Sequence, residues 1–428
     1  MGTDPGSSVD RRQFIKYGGA ASAVALAGCS TVDDDDDNGD DGAPTDDTDG
    51  TTTNGNGVDQ ITIGSNHPLT GDLGRTGTRM DNAVQLAAML KNEDGGIDSL
   101  GGADVEVISG DNEGEQELGS EVAQELVDDG ADVLTGCFSS PVTSAATRVA
   151  EREQIPFVIS VSVANEILQE TPLDYVYRPQ PSARKMSEDH AEMMPQVARD
   201  GGVDVDTAAL FYIDISFGQS IRDTLREELP EYGVEIVAEE AIDFGETADT
   251  QVTSIRNADP DAVISTTYEA STIELVQAMD NQGYRPPVLA GCANEALNDV
   301  GALDQMGETT NGALATNFAL DPTDDRAADI RERFEDEFDQ SFDANVAMTY
   351  AATEVILAAV EEAGSADPVD INDTLGEITV EDHVAAMPPI SFRDDGENEN
   401  ALAPLFQVQE LQDRVVFPDE FAESQAQF

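Results

Sequence analysis

Two adjacent serines before a proline form the segment of this chain whose residue types most directly predict ligand chemistry. Ser139-Ser140-Pro141 follows a short apolar run, which predicts a helix start with Ser140 as N-cap and Pro141 at the first helical position. The free N–H groups and the positive dipole end of such a helix attract a carboxylate or a polarised carbonyl. The same residues also suit an ordinary helix cap without a ligand, so both interpretations stay open.

Further hydroxyl groups follow other predicted strands. Ser160 and Ser162 end the next strand, where they could donate to a ligand or make only local turn bonds. Thr76 lies in the glycine-rich segment Gly71–Gly77 and is another candidate ligand-binding residue. This segment lacks the Gly-Lys-Ser/Thr ending of a phosphate-binding P-loop.

The residue types that enzymes and metal sites need are sparse. No Gly-x-Ser-x-Gly elbow is present, and the three histidines and three cysteines lie far apart, without zinc spacing or a disulfide framework. We therefore expect no catalytic residues, no metal and no cofactor.

The elements that must position these candidates alternate between short apolar runs and amphipathic stretches. Strands are predicted at 61–64, 105–108, 131–134, 157–159, 208–213, 234–238, 262–264 and 288–290. Helices are predicted at 78–92, 117–128, 141–152, 184–199, 218–229, 249–257 and 271–282. The pattern predicts an α/β protein with two doubly wound parallel-sheet lobes facing each other across a cleft. Ligands bind such folds at the carboxyl ends of the strands.

The charge of the chain excludes several partners. Its 428 residues contain 88 acidic and 21 basic side chains, a net charge of −67. Residues 1–57 hold 12 aspartates and three basic residues, which leaves 76 acidic and 18 basic residues in 58–428. Such a surface repels nucleic acid and anionic lipid headgroups. Only three basic residues are lysines, and this composition resembles proteins of extreme halophiles such as haloarchaea. Intrinsic disorder is the rival interpretation, but 39% of residues are hydrophobic and fall in periodic blocks.

The N-terminal 57 residues resemble an export signal and a tether. Arg11-Arg12 resembles a twin-arginine signal, and the apolar stretch after it ends in Leu26–Cys29, which resembles a lipobox. We expect residues 1–28 to be removed, Cys29 to carry lipid, and the acidic segment 29–57 to be a disordered spacer. The predicted location is the extracellular face of the cell membrane, anchored by lipid after twin-arginine export.

Motifs after the predicted strands resemble those of a known receptor family. They are Pro68–Gly71, Gly136–Ser140, Ala164–Glu166, Phe217-Gly218, Thr349–Ala352 and Ile390–Gly396. In this order and spacing they resemble the leucine/isoleucine/valine-binding family of ABC-importer solute receptors, with its amide- and urea-binding relatives. The resemblance covers the chain from Ile61 to about Val416.

The resemblance implies a type I periplasmic binding protein, with two lobes joined by three crossings. Lobe 1 would comprise residues 58–180 and 318–387, and lobe 2 residues 181–317 and 388–428. The crossings are expected near Tyr177–Pro181, Ala315–Asp321 and Pro388–Phe392.

The resemblance also implies roles for the polar and aromatic candidates. The Ser139-Ser140 turn would bind the carboxylate of an amino acid. Tyr268 would close over the ligand from the second lobe, and Phe217 could do the same. An aromatic face suits a cationic amine or an aliphatic side chain, although both residues also suit core packing.

The partner of an amino group is left open. Amino-acid receptors of the family carry an acidic residue two positions after the glycine that matches Gly291, where this chain has Ala293. Glu295 or Asp214 could supply that carboxylate, whereas a neutral amide or urea would need none.

The resemblance implies a function in solute uptake. The protein would be a non-enzymatic receptor of an ABC importer that binds a branched-chain or similar amino acid, an amide or urea between its lobes. Hinge closure would trap this small molecule before its transfer to a permease with a cytoplasmic ATPase. The alternative is a sensory ligand-binding protein of the same fold that feeds a signalling partner.

Overall fold

Alternating apolar runs and amphipathic segments fold into two wound sheets in the computed structural model, which describes residues 57–169 and 173–428. The strands of the first sheet are β1 (Gln60–His67), β2 (Asp104–Asp111), β3 (Val133–Gly136), β4 (Phe157–Ile159) and β5 (Val176–Tyr177). Their order is β2-β1-β3-β4-β5, and every pair is parallel. Ile63 of β1 pairs with Val107 on one side and Val133 on the other.

Helices cover both faces of this sheet, which explains why β1 is buried along nearly its whole length. The helices between its strands are α1 (Gly74–Glu93), α2 (Gln116–Asp128), α3 (Ser140–Glu153) and α4 (Glu166–Gln169). A short 3-10 turn lies at Asp98–Leu100.

The second sheet repeats the same winding. Its strands are β6 (Thr207–Ile213), β7 (Glu235–Ile242), β8 (Ala262–Thr266), β9 (Val288–Cys292) and β10 (Leu314–Thr316). Its helices are α5 (Ala183–Asp200), α6 (Ser216–Glu228), α7 (Asp249–Ala258), α8 (Glu269–Gln282) and α9 (Val300–Met306), with 3-10 turns at Leu229–Tyr232, Ala296–Asn298 and Glu308–Thr310. The order β7-β6-β8-β9-β10 is the same as that of the first sheet, as the alternation of strands and helices in the sequence predicts.

The second sheet is not purely parallel, which differs from the sequence-based expectation. β13 (Leu405–Gln409) runs antiparallel to β10, and β14 (Gln412–Phe417) runs antiparallel to β13 at the edge. The two strands are joined by Glu410 and Leu411 alone, both with positive φ. A two-residue turn with positive φ at both positions forms a tight hairpin, and a hairpin makes its strands antiparallel.

The chain between the second sheet and this hairpin returns to the first sheet. It forms α10 (Asp325–Phe338), α11 (Ala344–Ala363) and α12 (Pro368–Leu375), then the short paired strands β11 (Thr379–Val380) and β12 (Ile390–Ser391). α11 packs on α1 and contacts β3 and β4. We call the first sheet with α1–α4 and α11 the first lobe, and the second sheet with α5–α9 the second lobe.

The segments that run between the sheets are bonded to one another. Leu320 bridges Ala385, and Arg178 bridges Glu397. The guanidinium of Arg178, which is fully buried, also donates to the carbonyls of Val163 and Ala164 at 3.0 and 2.9 Å. Each crossing is therefore held by a neighbour, while the exact lobe boundaries stay a prediction.

Candidate ligand-binding site

The loops that follow the carboxyl ends of both sheets enclose one small cavity. Its lining consists of Phe138, Ser140, Val161, Ser162, Val163, Phe217, Thr267, Tyr268, Ala293, Glu295, Asn317, Phe318 and Asn345. The volume of this cavity is about 30 Å³, counted as the space open to the centres of water-sized molecules. The two lobes thus lie close together around a space suited to a small molecule.

The helix start at the serine pair lies at this cavity, one residue earlier than expected. Ser139, not Ser140, is the N-cap of α3, because the N–H of Thr143 donates to the carbonyl of Ser139 at 2.9 Å. Ser140 is therefore the first helical residue, and Pro141, expected at that position, is the second. The Ser139 side chain makes no capping bond, so the first N–H groups of α3 are left for other acceptors.

Three more helices begin at the same place. Phe217 is the second residue of α6, Tyr268 is the N-cap of α8, and Asn345 is the second residue of α11. The positive dipole ends of four helices, including α3, therefore converge on the cavity. Together they favour a carboxylate or another anionic group of the ligand.

Aromatic rings from both lobes form one wall of the cavity. The Tyr268 ring stacks on Phe217 with 5.4 Å between ring centroids, and it contacts Phe138 of the first lobe at 5.1 Å. Phe244 meets the Tyr268 ring edge-on at 6.1 Å. Tyr268 is buried, its hydroxyl has no hydrogen-bond partner among the described residues, and burial raises its pKa. This wall suits an apolar part of a ligand.

Among the described residues that line the cavity, Glu295 alone is charged. One of its carboxylate oxygens accepts the N–H of Glu269 at 2.9 Å, and the other accepts the side-chain amide of Asn345 at 2.9 Å. The pKa of Glu295 is raised to about 7, mainly by burial and also by the carboxylate of Asp343, against the opposing effects of the Glu269 N–H and Arg79. A ligand ammonium would favour the charged form of this carboxylate.

The two serines after β4 have different surroundings. Ser162 lines the cavity, and its hydroxyl contacts Thr143 and donates to the carbonyl of Phe138 at 3.0 Å. Ser160 is fully buried outside the lining, where it donates to the carbonyl of Cys137 at 3.1 Å and contacts His67 at 3.2 Å. Ser160 therefore supports the turn before α3 but does not contact the cavity.

Three other candidates, Ser139, Thr76 and Asp214, also lie outside the cavity lining. Thr76 is buried in the first turn of α1, and the exposed Asp214 accepts a side-chain bond from Gln219 at 2.9 Å. Cys137 and Cys292 are buried free thiols whose pKa values are raised by burial, and neither lines the cavity.

Several lining residues were not singled out from the sequence. Phe138 lies inside the quoted turn Gly136–Ser140, so the position of that turn after β3 was an available signal. Asn317 and Phe318 follow β10, a three-residue strand too short to recognise by its pattern. Asn345 comes from α11, and only the tertiary fold brings that helix to the cavity.

An enclosed cavity between two doubly wound lobes, with helix starts from both, defines the class of two-lobed solute-binding proteins. The chain belongs to the periplasmic binding protein family, whose sequence model matches residues 60–413. This confirms the family and the fold class expected from the motifs. No helix among the residues described by the structure is long and apolar enough to cross a membrane.

Individual relatives agree with this assignment. The chain is 25% identical over 384 residues to Leu/Ile/Val-binding protein homolog 7 of Brucella abortus, an alignment that covers 85% of this chain and 93% of the relative. The fold is similar to that of LivJ of Streptococcus pneumoniae, a branched-chain amino acid transporter substrate-binding protein solved in complex with isoleucine. The TM-score is 0.72 at 20% identity, and the match covers 83% of this chain and 97% of LivJ. The leucine-binding protein LivK of Thermotoga maritima has a TM-score of 0.71 at 18% identity, covering 84% and 99% of the two chains.

The buried carboxyl of Glu295 predicts that ligand affinity depends on pH. Its pKa of about 7 means that the carboxyl is largely protonated in more acidic solution, so it must lose a proton to bind an ammonium group. We expect the affinity for an amine ligand to rise with pH by up to about tenfold for each unit below 7 and to level off above it. Titration calorimetry between pH 5 and 8, in about one-unit steps, measures this dependence.

Glu295→Gln is the matched control, because the amide keeps the size of the side chain and cannot titrate. This variant should bind an amine ligand more weakly at pH 8 and show a flat profile. An unchanged pH profile in Glu295→Gln would show that another group causes the dependence.

Proposed function

We propose that the protein is the extracytoplasmic receptor of an ABC importer and that its ligand is an amino acid with an apolar side chain. The observation that carries this proposal is the placement of Glu295 in a cavity where four helices begin. The helix starts bind the α-carboxylate and Glu295 binds the α-ammonium, so the two charges of a zwitterion are both matched.

The rest of the lining selects the side chain. Phe138, Val161, Val163, Tyr268 and Phe318 contribute apolar surface, which favours a branched or similar aliphatic group. A neutral amide or urea would leave the Glu295 carboxylate without a cationic partner, and a free phosphate would meet its negative charge. LivJ in complex with isoleucine and the leucine-binding protein LivK support the same class.

Ligand capture occurs by closure of the lobes about the crossings between them. We assign residues 58–180 and 318–387 to one moving body and residues 181–317 and 388–428 to the other. The ligand contacts both bodies, through Ser140 on one side and Tyr268 and Glu295 on the other, so it binds the closed form more tightly than the open one. The closed receptor then delivers the amino acid to a permease with its ATPase.

The site binds its ligand without chemical conversion. Ser140 and Ser162 line the cavity, whose described lining contains no histidine, and His67 contacts the buried Ser160 instead. Burial lowers the pKa of His67 to about 3, so it stays neutral and serves the hydrogen bonding of the core. No serine of the described lining therefore has a histidine as the general base that a nucleophile requires.

Variants at the two sides of the cavity test the assignment of the site. Ser140→Ala should weaken binding by about 1–3 kcal/mol, because a polar group at the desolvated carboxylate is lost. Tyr268→Ala should also weaken binding, since it removes the aromatic wall of the second lobe. Calorimetric titration in concentrated salt with leucine, isoleucine, valine, short amides and urea measures these effects, and we expect only the amino acids to bind.

Glu335→Gln is the control for these titrations, since Glu335 is exposed on α10 away from the cavity and should not change any affinity. If Ser140→Ala leaves every measured affinity unchanged, the ligand does not bind at the start of α3.

We further propose that Cys29, which lies outside the described residues, is the lipid-bearing N-terminus of the mature protein after twin-arginine export. Arg11-Arg12 and the Leu26–Cys29 segment support this proposal. Cys29→Ser should move the protein from the membrane fraction to the medium, as measured by fractionation and immunoblotting. Thr52→Ser, in the same segment, should leave it on the membrane. Membrane retention of Cys29→Ser would contradict the lipid anchor.

The charge of the body supports adaptation to concentrated salt. Residues 58–428 carry 76 acidic and 18 basic side chains, so folding must overcome strong mutual repulsion. At 1 M salt the Debye length falls to about 3 Å, which screens most of this repulsion. We expect the melting temperature to rise steeply with KCl but little with sucrose, which does not screen charge. An equal melting temperature at about 0.1 M and 2 M KCl would contradict this proposal.

A further inference from the structure

Two arginines in the first turns of α1 connect the lobes outside the ligand cavity. α1 packs on β1 and β2 of the first lobe, whereas partners of Arg75 and Arg79 include Glu269 at the start of α8 and Asp299 at the start of α9. These four residues lie outside the lining of the cavity. We propose that the ion pair between Arg79 and Asp299 is a latch that holds the lobes closed and sets the rate of ligand release.

The guanidinium of Arg79 is shared between two carboxylates. One nitrogen lies 2.5 Å from Asp299 Oδ2 and 2.8 Å from the hydroxyl of Ser341, and the other lies 2.7 Å from Asp343 Oδ2. Burial would raise the pKa of Asp299, but Arg79 outweighs this effect and the pKa lies below its ordinary value. The pair therefore remains charged across the neutral pH range.

Burial distinguishes this pair from the neighbouring one. The side chains of Arg79 and Asp299 are 3% and 1% exposed, so salt in the solvent screens their attraction little. Arg75 pairs with Glu269 at 2.6 Å, but its side chain is 52% exposed. An exposed pair contributes little even in dilute buffer and less in concentrated salt. In concentrated salt, therefore, the buried Arg79–Asp299 pair attracts the two lobes more strongly than the exposed Arg75–Glu269 pair does.

The two carboxylates that pair with Arg79 belong to different lobes, so opening of the lobes affects only one of the two ion pairs. Asp343 is the N-cap of α11, and α11 packs on α1, so this contact stays within the first lobe. Asp299 is the N-cap of α9, which packs on α8 and β14. When the lobes separate, Arg79 keeps Asp343 and loses Asp299. Of the two carboxylates that pair with Arg79, only Asp299 belongs to the other lobe.

The latch lies next to the part of the cavity that Glu295 occupies. Glu295 accepts the N–H of Glu269, whose carboxylate pairs with Arg75, and Arg75 is 3.4 Å from Asp299. Glu295 also accepts the amide of Asn345 on α11 of the first lobe. Closure therefore forms the cavity contacts of Glu295 and the Arg79–Asp299 pair together.

Asp299→Asn tests the latch with the least disturbance. Asparagine caps a helix as well as aspartate does, so α9 should keep its start, and Arg79 keeps the carboxylate of Asp343. We expect the dissociation rate of leucine, measured by stopped-flow fluorescence, to rise about tenfold or more, with a much smaller change in the association rate. In small-angle X-ray scattering, the ligand-free variant should have a larger radius of gyration than the wild-type protein.

Asp343→Asn is the matched control, because it removes the Arg79 partner that lies in the same lobe. It should lower the melting temperature while leaving the radius of gyration of the ligand-free protein unchanged. Arg75→Gln should leave the dissociation rate in concentrated salt unchanged, because its pair with Glu269 is exposed.

Two results would overturn the latch. One is an Asp299→Asn protein whose scattering and dissociation rate both match those of the wild-type protein. The other is an Asp343→Asn protein whose ligand-free radius of gyration increases as much as that of Asp299→Asn, which would make Arg79 a general packing residue. The effect on release rests on the proposed receptor function, but the scattering of the ligand-free proteins does not. If no amino acid binds, scattering still decides whether the pair holds the lobes together.

Discussion

The direction of the chain through its parallel strands is the constraint on which the rest of this structure depends. Each strand of a βα unit ends at the edge where the next helix begins, so strand ends and helix starts collect on one side of a sheet. In both lobes that side borders the cavity, as Ser140 after β3 and Tyr268 after β8 demonstrate. The first N–H groups of a helix lack internal partners. The backbone therefore supplies donors and positive potential at the cavity, most freely at the start of α3, where no side chain caps the helix.

This arrangement suits a protein with very few basic residues. The described lining contains no lysine or arginine, although the proposed site binds a carboxylate. A cationic side chain inside the cavity would pair with Glu295 in the empty receptor and compete with the ligand ammonium. The start of α3 instead offers positive potential that is fixed in the backbone and cannot move to Glu295. Arg79 is instead placed outside the lining, where its charge acts between the lobes.

Local patterns predicted most of the regular structure, and the exceptions are places where tertiary contacts override propensity. The strand at 157–159 was predicted at its observed bounds, because apolar runs and helical periodicity are local signals. α1 begins at Gly74, before the predicted residue 78, and includes Gly77, where a Cβ atom would lie 1.9 Å from the carbonyl of Pro68. Close packing thus places a poor helix former inside the helix. The turn Glu410-Leu411 has none of the residues that usually mark a two-residue hairpin, so its strands were missed.

The candidate site divides in the same way between local and tertiary information. Ser139 and Ser140 could be recognised because a helix start depends on neighbouring residues, although the cap was misplaced by one. The choice between Glu295 and Asp214 required the fold, because both follow strands of the second lobe and only one lines the cavity. Ala293 explains how the chain brings Glu295 there. It has a φ of 52°, and its N–H donates to the carbonyl of Thr316 at 2.8 Å. A left-handed conformation is costly for a residue with a Cβ atom, and such strain persists where surrounding contacts enforce it. Ala293 and Glu295 both line the cavity, so this left-handed turn lies within the wall that carries the carboxylate.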